Sequence, residues 1–186
     1  MSKVFQYGGI VASIVLIAIG AGALYMGTSG RAEVRDNLKR EQIVGTPDMA
    51  KSVANKQVLT GAQAKAFAQG MRKHALEATG GQTYSQMGRY LTAAGKPTND
   101  EKAAAVDKAT GKPVENGARN IWVTETALTT ALNTAFFAES VATFAIVMGI
   151  ALLLSGGGFL VLTLRVLRRT EQTAAARAPR VAVAAS

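Results

Sequence analysis

The chain of 186 residues contains no cysteine. That excludes disulfides, thiolate metal sites, a cysteine nucleophile and a lipidated cysteine anchor. Histidine is nearly as scarce, with His74 the only one. Arg72 and Lys73 flank it, and no companion ligands stand at metal-binding spacing, so it reads as a surface residue within reach of Glu77. No Ser-His-Asp or Cys-His set can be assembled around it. The glycine runs Gly80-Gly81 and Gly156-Gly157-Gly158 lack the lysine and Ser/Thr of a phosphate-binding loop. These absences point away from an enzyme and from any metal or cofactor.

Charge is all but missing from two long stretches and unevenly spread elsewhere. The net charge is +9, from 21 basic and 12 acidic residues. Between Thr28 and Glu139 stand 15 basic and 11 acidic residues, an excess of only four, whereas the segment after Leu164 carries five arginines and one glutamate. Such an end-weighted excess marks membrane topology rather than a nucleic-acid footprint.

The first uncharged stretch, Tyr7–Tyr25, reads YGGIVASIVLIAIGAGALY. As a helix it is about 27 Å long, close to the hydrocarbon thickness of a bilayer, with a tyrosine at each end where interfacial aromatics belong. Ala21-Gly22-Ala23 resembles a signal-peptidase site. The single basic residue before the run and the length of the run favour an uncleaved anchor. In the second stretch, Thr126 to Leu164, Glu139 is the only ionisable residue. Counting back about 20 residues from Arg165 puts a span at Ala145–Leu164. Glu139 then stands about 39 Å from Arg165 along a helix, in the outer headgroup zone, as an interface carboxylate. A span shifted outward would make it a partner for a neighbouring subunit.

Arg165, Arg168 and Arg169, with Lys3 at the other end, place both termini in the cytoplasm by the positive-inside rule. The organisation that follows is a cytoplasmic N-terminus (1–6), a first span (7–26), an extracytoplasmic segment (27–140), a second span (141–165) and a basic, Ala-rich cytoplasmic tail (166–186). Ala18-x-x-x-Gly22 and Ala145-x-x-x-Gly149 are small-residue pairs that permit close helix contact, first between the two spans and next between copies of the chain.

Few large apolar residues lie in the middle, so its core must be thin. Arg31–Ile43 reads as a helical stalk, with an Asp36–Arg40 pair and Val34 and Leu38 on one face. A break follows at Val44–Asp48. Thr60–Thr79 reads as a helix with Thr60 as N-cap, Phe67, Met71 and Ala75 along one side, and Gly80-Gly81 as its stop. Tyr84–Leu91 suggests a short helix and Lys96–Gly117 a mobile or loosely helical segment. From Arg119 a long helix runs through Trp122, expected to pack between stalks, and on into the second span.

The segments "REQIVGTPDM" (Arg40–Met49) and "MRKHALEATGGQTYSQMGRYL" (Met71–Leu91), followed by a long helix into a terminal span, carry a resemblance. On these residues the chain resembles a family of small actinobacterial two-span membrane proteins. The resemblance implies an N-terminal span, a stalk and a C-terminal span. Some members carry a ring-opening-dioxygenase label, which one histidine without a ligand set does not support here. The Lys96–Gly117 stretch and the Arg/Ala tail depart from the family pattern.

The expected fold class is therefore an all-α membrane protein: two transmembrane helices with helical stalks and a small, loosely cored helical extracytoplasmic segment. Its expected partners are the lipid bilayer and a membrane protein or a second copy of the chain, with no nucleic acid. The leading functional expectation is a non-enzymatic accessory or scaffold subunit. A ligand-sensing module signalling through a separate partner is the alternative.

Overall fold

Helix α1 runs from Lys3 to Glu41, α2 from Gly61 to Ala78 and α3 from Ala118 to Arg177. Between α2 and α3 lies a two-stranded antiparallel sheet, β1 (Tyr90–Leu91) on β2 (Pro97–Thr98), with 3₁₀ turns at Tyr84–Gln86 and Glu101–Ala103. The structure, a computed structural model, describes residues 3–177, and side-chain surroundings over 7–165. α1 and α3 are both long and apolar enough to cross a membrane, with 18-residue windows of mean hydropathy 2.2 and 2.3. The chain divides into two compact units, residues 1–30 with 141–186, and residues 31–140.

In the first unit, the N-terminal part of α1 lies antiparallel to the C-terminal part of α3. The contact is built from small residues. A Cβ on Gly149 would stand 2.7 Å from the Gly20 carbonyl oxygen and 2.8 Å from the Leu24 nitrogen. Gly27 abuts the Ala142 carbonyl in the same way, and Gly156 abuts Ile17 and the Ser13 carbonyl. Ser13 is fully buried and returns its hydroxyl hydrogen to Gly9 O at 2.7 Å. The facing residues recur every seven positions, Ser13/Gly20/Gly27 on α1 and Ala142/Gly149/Gly156/Thr163 on α3. That is the period of a left-handed coiled seam. The opposite faces carry Val11, Ile14, Ile19, Phe144, Val147 and Leu154, all largely exposed.

The second unit has a small but closed core. Leu38, Val53, Val58, Ala64, Phe67, Ala68 and Leu132 form one buried cluster. Val53 and Val58 are both 0% exposed, and full burial of such a side chain contributes about 1.5–3 kcal/mol. They arrive there because the loop after α1 folds back on itself. Gln42 takes a positive φ of 52° and ends the helix. Val58 N–H then bonds Ile43 O at 2.8 Å, and Gly45 exchanges bonds with Lys56 and Asn55. Trp122 anchors a second cluster with Ala75 and Met87.

α2 forms where the sequence expects it. Thr60 accepts from Gln63 N–H, and Gln63 Oε1 accepts from Leu59 N–H at 2.9 Å. At the other end Gly80 and Gly81 have φ of 61° and 79°. Gly81 N–H bonds Leu76 O at 2.7 Å while Gly80 N–H bonds Glu77 O, a Schellman stop.

Four expectations need correction. Tyr84–Leu91 is not a helix: after one 3₁₀ turn the chain extends past Gly88, which lies against the Thr98 backbone, into β1. Lys96–Gly117 is ordered, because its backbone groups find partners distant in sequence. Leu91 N–H bonds Val114 O, Ala105 N–H bonds Leu91 O, and Val114 N–H bonds Ala105 O. Asp107 closes the tip by accepting from the N–H of Thr110 first and of Ala109 second, which lowers its pKa. The segment between the long helices is thus not all helical. Trp122 packs on the end of α2 rather than between stalks, its indole N–H donating to Gln82 O at 2.9 Å. Arg40 donates to Asn37, three residues back, in place of the expected Asp36 pairing.

Candidate functional site

Glu139 lies in the second unit and has a structural role. One carboxylate oxygen accepts from the Gly61 N–H, the first of α2, and the other stands 3.4 Å from Arg31 Nη2. A carboxylate there satisfies an orphan donor and complements the positive end of the helix dipole. Gly61 permits the approach, since a Cβ would fall 2.7 Å from Phe136 Cα. Lys65, one turn on, lies 4.4 Å above the Phe136 ring. Glu139 thereby docks α2 onto α3.

His74 pairs with Asp48 and not with Glu77, which takes Lys73 at 3.6 Å instead. The His74 Nε2–Asp48 Oδ2 distance is 2.6 Å. Asp48 is held at a pKa of about 2 by the Thr46 hydroxyl first and by His74 second. The pair pins the loop after α1 to the flank of α2. Among the described residues no group of three or more His, Cys, Asp or Glu side chains stands close enough to hold a metal ion.

The small-residue candidates separate. Gly149 is buried in the helix contact and Ala145 is half-buried beside it. Ala18 and Gly22 are exposed, and nothing lies within 4 Å of a Cβ on Gly22. Packing between the two apolar helices therefore does not use the Ala18–Gly22 pair, because the seam follows the seven-residue spacing, which puts Gly20 rather than Gly22 inside. Arg165 ends the residues whose surroundings are described. Arg168 and Arg169 lie on helical backbone, with side chains outside the described residues.

Among the described residues, cavities open on the second unit. One, of about 340 Å³, is apolar and runs between Val34, Leu38 and Ile43 on one side and Leu128, Leu132 and Ala135 on the other. A shallower one of about 490 Å³ lies over Met71, His74, Ile121 and Glu125. Another is polar, about 310 Å³, and is lined by Tyr84, Arg89, Glu115, Asn116, Arg119 and Asn120. In it the Arg119 guanidinium lies 4.0 Å from the centre of the Tyr84 ring, and Arg89 lies 5.2 Å from that of Tyr90. Its walls are fixed by buried Asn116, which bonds Arg89 O through its N–H and Gly88 O through its amide, and accepts from Ala118 N–H. No motif in the sequence marks this cavity, because Arg89 and Arg119 are 30 residues apart and meet only through the sheet.

Comparison with family models, with curated proteins and with solved structures finds no match.

Proposed function

We propose that this chain is a non-enzymatic integral membrane protein of the cell membrane, an accessory or scaffold subunit that docks on a membrane-protein partner or a second copy of itself. The observation that carries this reading is the outward apolar surface of the two long helices. Val11, Ile14, Ile19, Phe144, Val147 and Leu154 are each about half or more exposed although the helices pack together on their small-residue faces. Apolar surface of that extent requires a bilayer or another apolar surface to cover it. Lys3 and the arginines from Arg165 onward argue for both termini in the cytoplasm and residues 27–140 outside.

Native mass spectrometry of the gently solubilised protein tests the docking role. A homo-oligomer or a stoichiometric partner is the expected result; a strictly monomeric, partnerless protein overturns it. The polar cavity favours a second reading, an extracytoplasmic sensor that signals through a separate protein.

A further inference from the structure

The cavity at the start of α3 is lined by two arginines and one carboxylate, an excess of one positive charge. Neither Arg89 nor Arg119 forms an ion pair among the described residues, although the Glu115 carboxylate lies on the same wall. Both guanidiniums rest on tyrosine rings, which orients their planes and leaves their N–H groups available. α3 starts with no acidic residue in its first turn and has Arg119 as its second residue. A cation at the positive end of a helix dipole is unfavourable on its own account. Two arginines lining one small cavity repel each other as well, and a bound anion relieves both terms.

The available donors select the kind of anion. Each guanidinium carries five N–H groups in a planar fork, and Asn120 and Tyr84 can add an amide and a hydroxyl. Donors approaching from several directions suit a tetrahedral oxyanion better than a flat carboxylate, which one fork satisfies. Glu115 leaves the lining one positive unit in excess, which favours a single phosphate group over a polyphosphate. Asn116 fixes the walls beforehand, so little ordering accompanies binding.

We propose that the cavity between Arg89, Arg119 and Tyr84 is a binding site for a compact phosphate-type oxyanion, held between the two guanidiniums. The phosphate can come from a soluble molecule or from a lipid headgroup, and the chemistry of capture is the same. This inference is independent of the docking role: a partnerless monomer would leave it standing.

The test is calorimetric titration of the full chain in phosphatidylcholine nanodiscs with inorganic phosphate, repeated in nanodiscs containing phosphatidylglycerol. Saturable binding is expected, weakened by at least about tenfold in Arg89→Gln and in Arg119→Gln. It should be unchanged in Lys108→Gln, which lies outside the cavity. The backbone groups of Arg89 that hold the sheet survive its substitution, so thermal midpoints near wild type should show that the variants fold. Phosphate binding equal in the two nanodiscs identifies a soluble source. Competition by phosphatidylglycerol, or arginine-dependent stabilisation by that lipid alone, identifies the headgroup. No saturable binding in any arm, or binding that persists undiminished in both arginine variants, overturns the proposal.

Discussion

At the scale of single residues, placement decides what each ionisable group does. Glu139 shows it well: in the sequence it is one carboxylate in a long apolar run, and in the structure it closes the first N–H of a helix 78 residues earlier in the chain. Asp48 illustrates the same point and carries a pH dependence. Its pKa is lowered from 3.8 to about 2 by the hydrogen bonds from Thr46 and His74. A carboxylate whose folded pKa lies below its unfolded value stabilises the fold above the unfolded pKa. That contribution disappears as pH falls through the folded one. The expected outcome is a fall in thermal midpoint between pH 4 and pH 2 that is smaller in Asp48→Asn, measured by circular dichroism. Equal falls in both proteins would show that the pair does not contribute.

At the scale of elements, the helix contacts turn on which small residues face inward. The α1–α3 contact of the first unit brings backbone to backbone at Gly20 and Gly149. Gly149→Ala places a methyl group 2.7 Å from a carbonyl oxygen that belongs to a rigid helix, so the helices must move apart. Overpacking of this kind costs about 1–3 kcal/mol. Gly22→Ala meets open space and should be neutral or slightly stabilising through helix propensity. Thermal unfolding of both variants in one detergent measures the difference; equal midpoints would mean that the seam is not where the close approach matters. The sequence contains both glycines in similar small-xxx-small settings. It does not show which face meets the other helix, because that depends on the rotation of two helices about their axes. α2 is the opposite case. Its cap, stop and apolar side are all local, and each was legible from Thr60, Gly80-Gly81 and the Phe67/Met71/Ala75 spacing.

For the whole molecule, the absence of cysteine turns from an exclusion into a tool. Any single cysteine introduced is a unique reporter, so membrane topology can be read without background labelling. With both termini inside, Ser2→Cys and Ala184→Cys in intact cells should resist a membrane-impermeant maleimide, while Lys108→Cys should react. Labelling of a terminal cysteine from outside would reverse the proposed orientation. Repeating the labelling after permeabilisation distinguishes an uncleaved first span from a cleaved one: Ser2→Cys then reacts in the uncleaved chain, whereas cleavage at Ala21–Ala23 removes that reporter from the mature chain.

The sequence by itself determined the long apolar helices, the helix α2 with its ends, and the absence of cysteine. Each rests on local composition and periodicity, which act within one or two helical turns. Only the tertiary structure decided that Lys96–Gly117 is ordered, that Val53 and Val58 complete a core, that Trp122 packs on the end of α2, and that Arg89 and Arg119 share a cavity. All four depend on backbone or side-chain partners distant in sequence. Val53 and Val58 lie five residues apart in KSVANKQVLT, a spacing that puts them on one face of neither a helix nor a strand, and their burial follows from the loop that folds back at Gln42. A contact between such positions leaves no trace in the residues on either side of it, so no local pattern could have announced it.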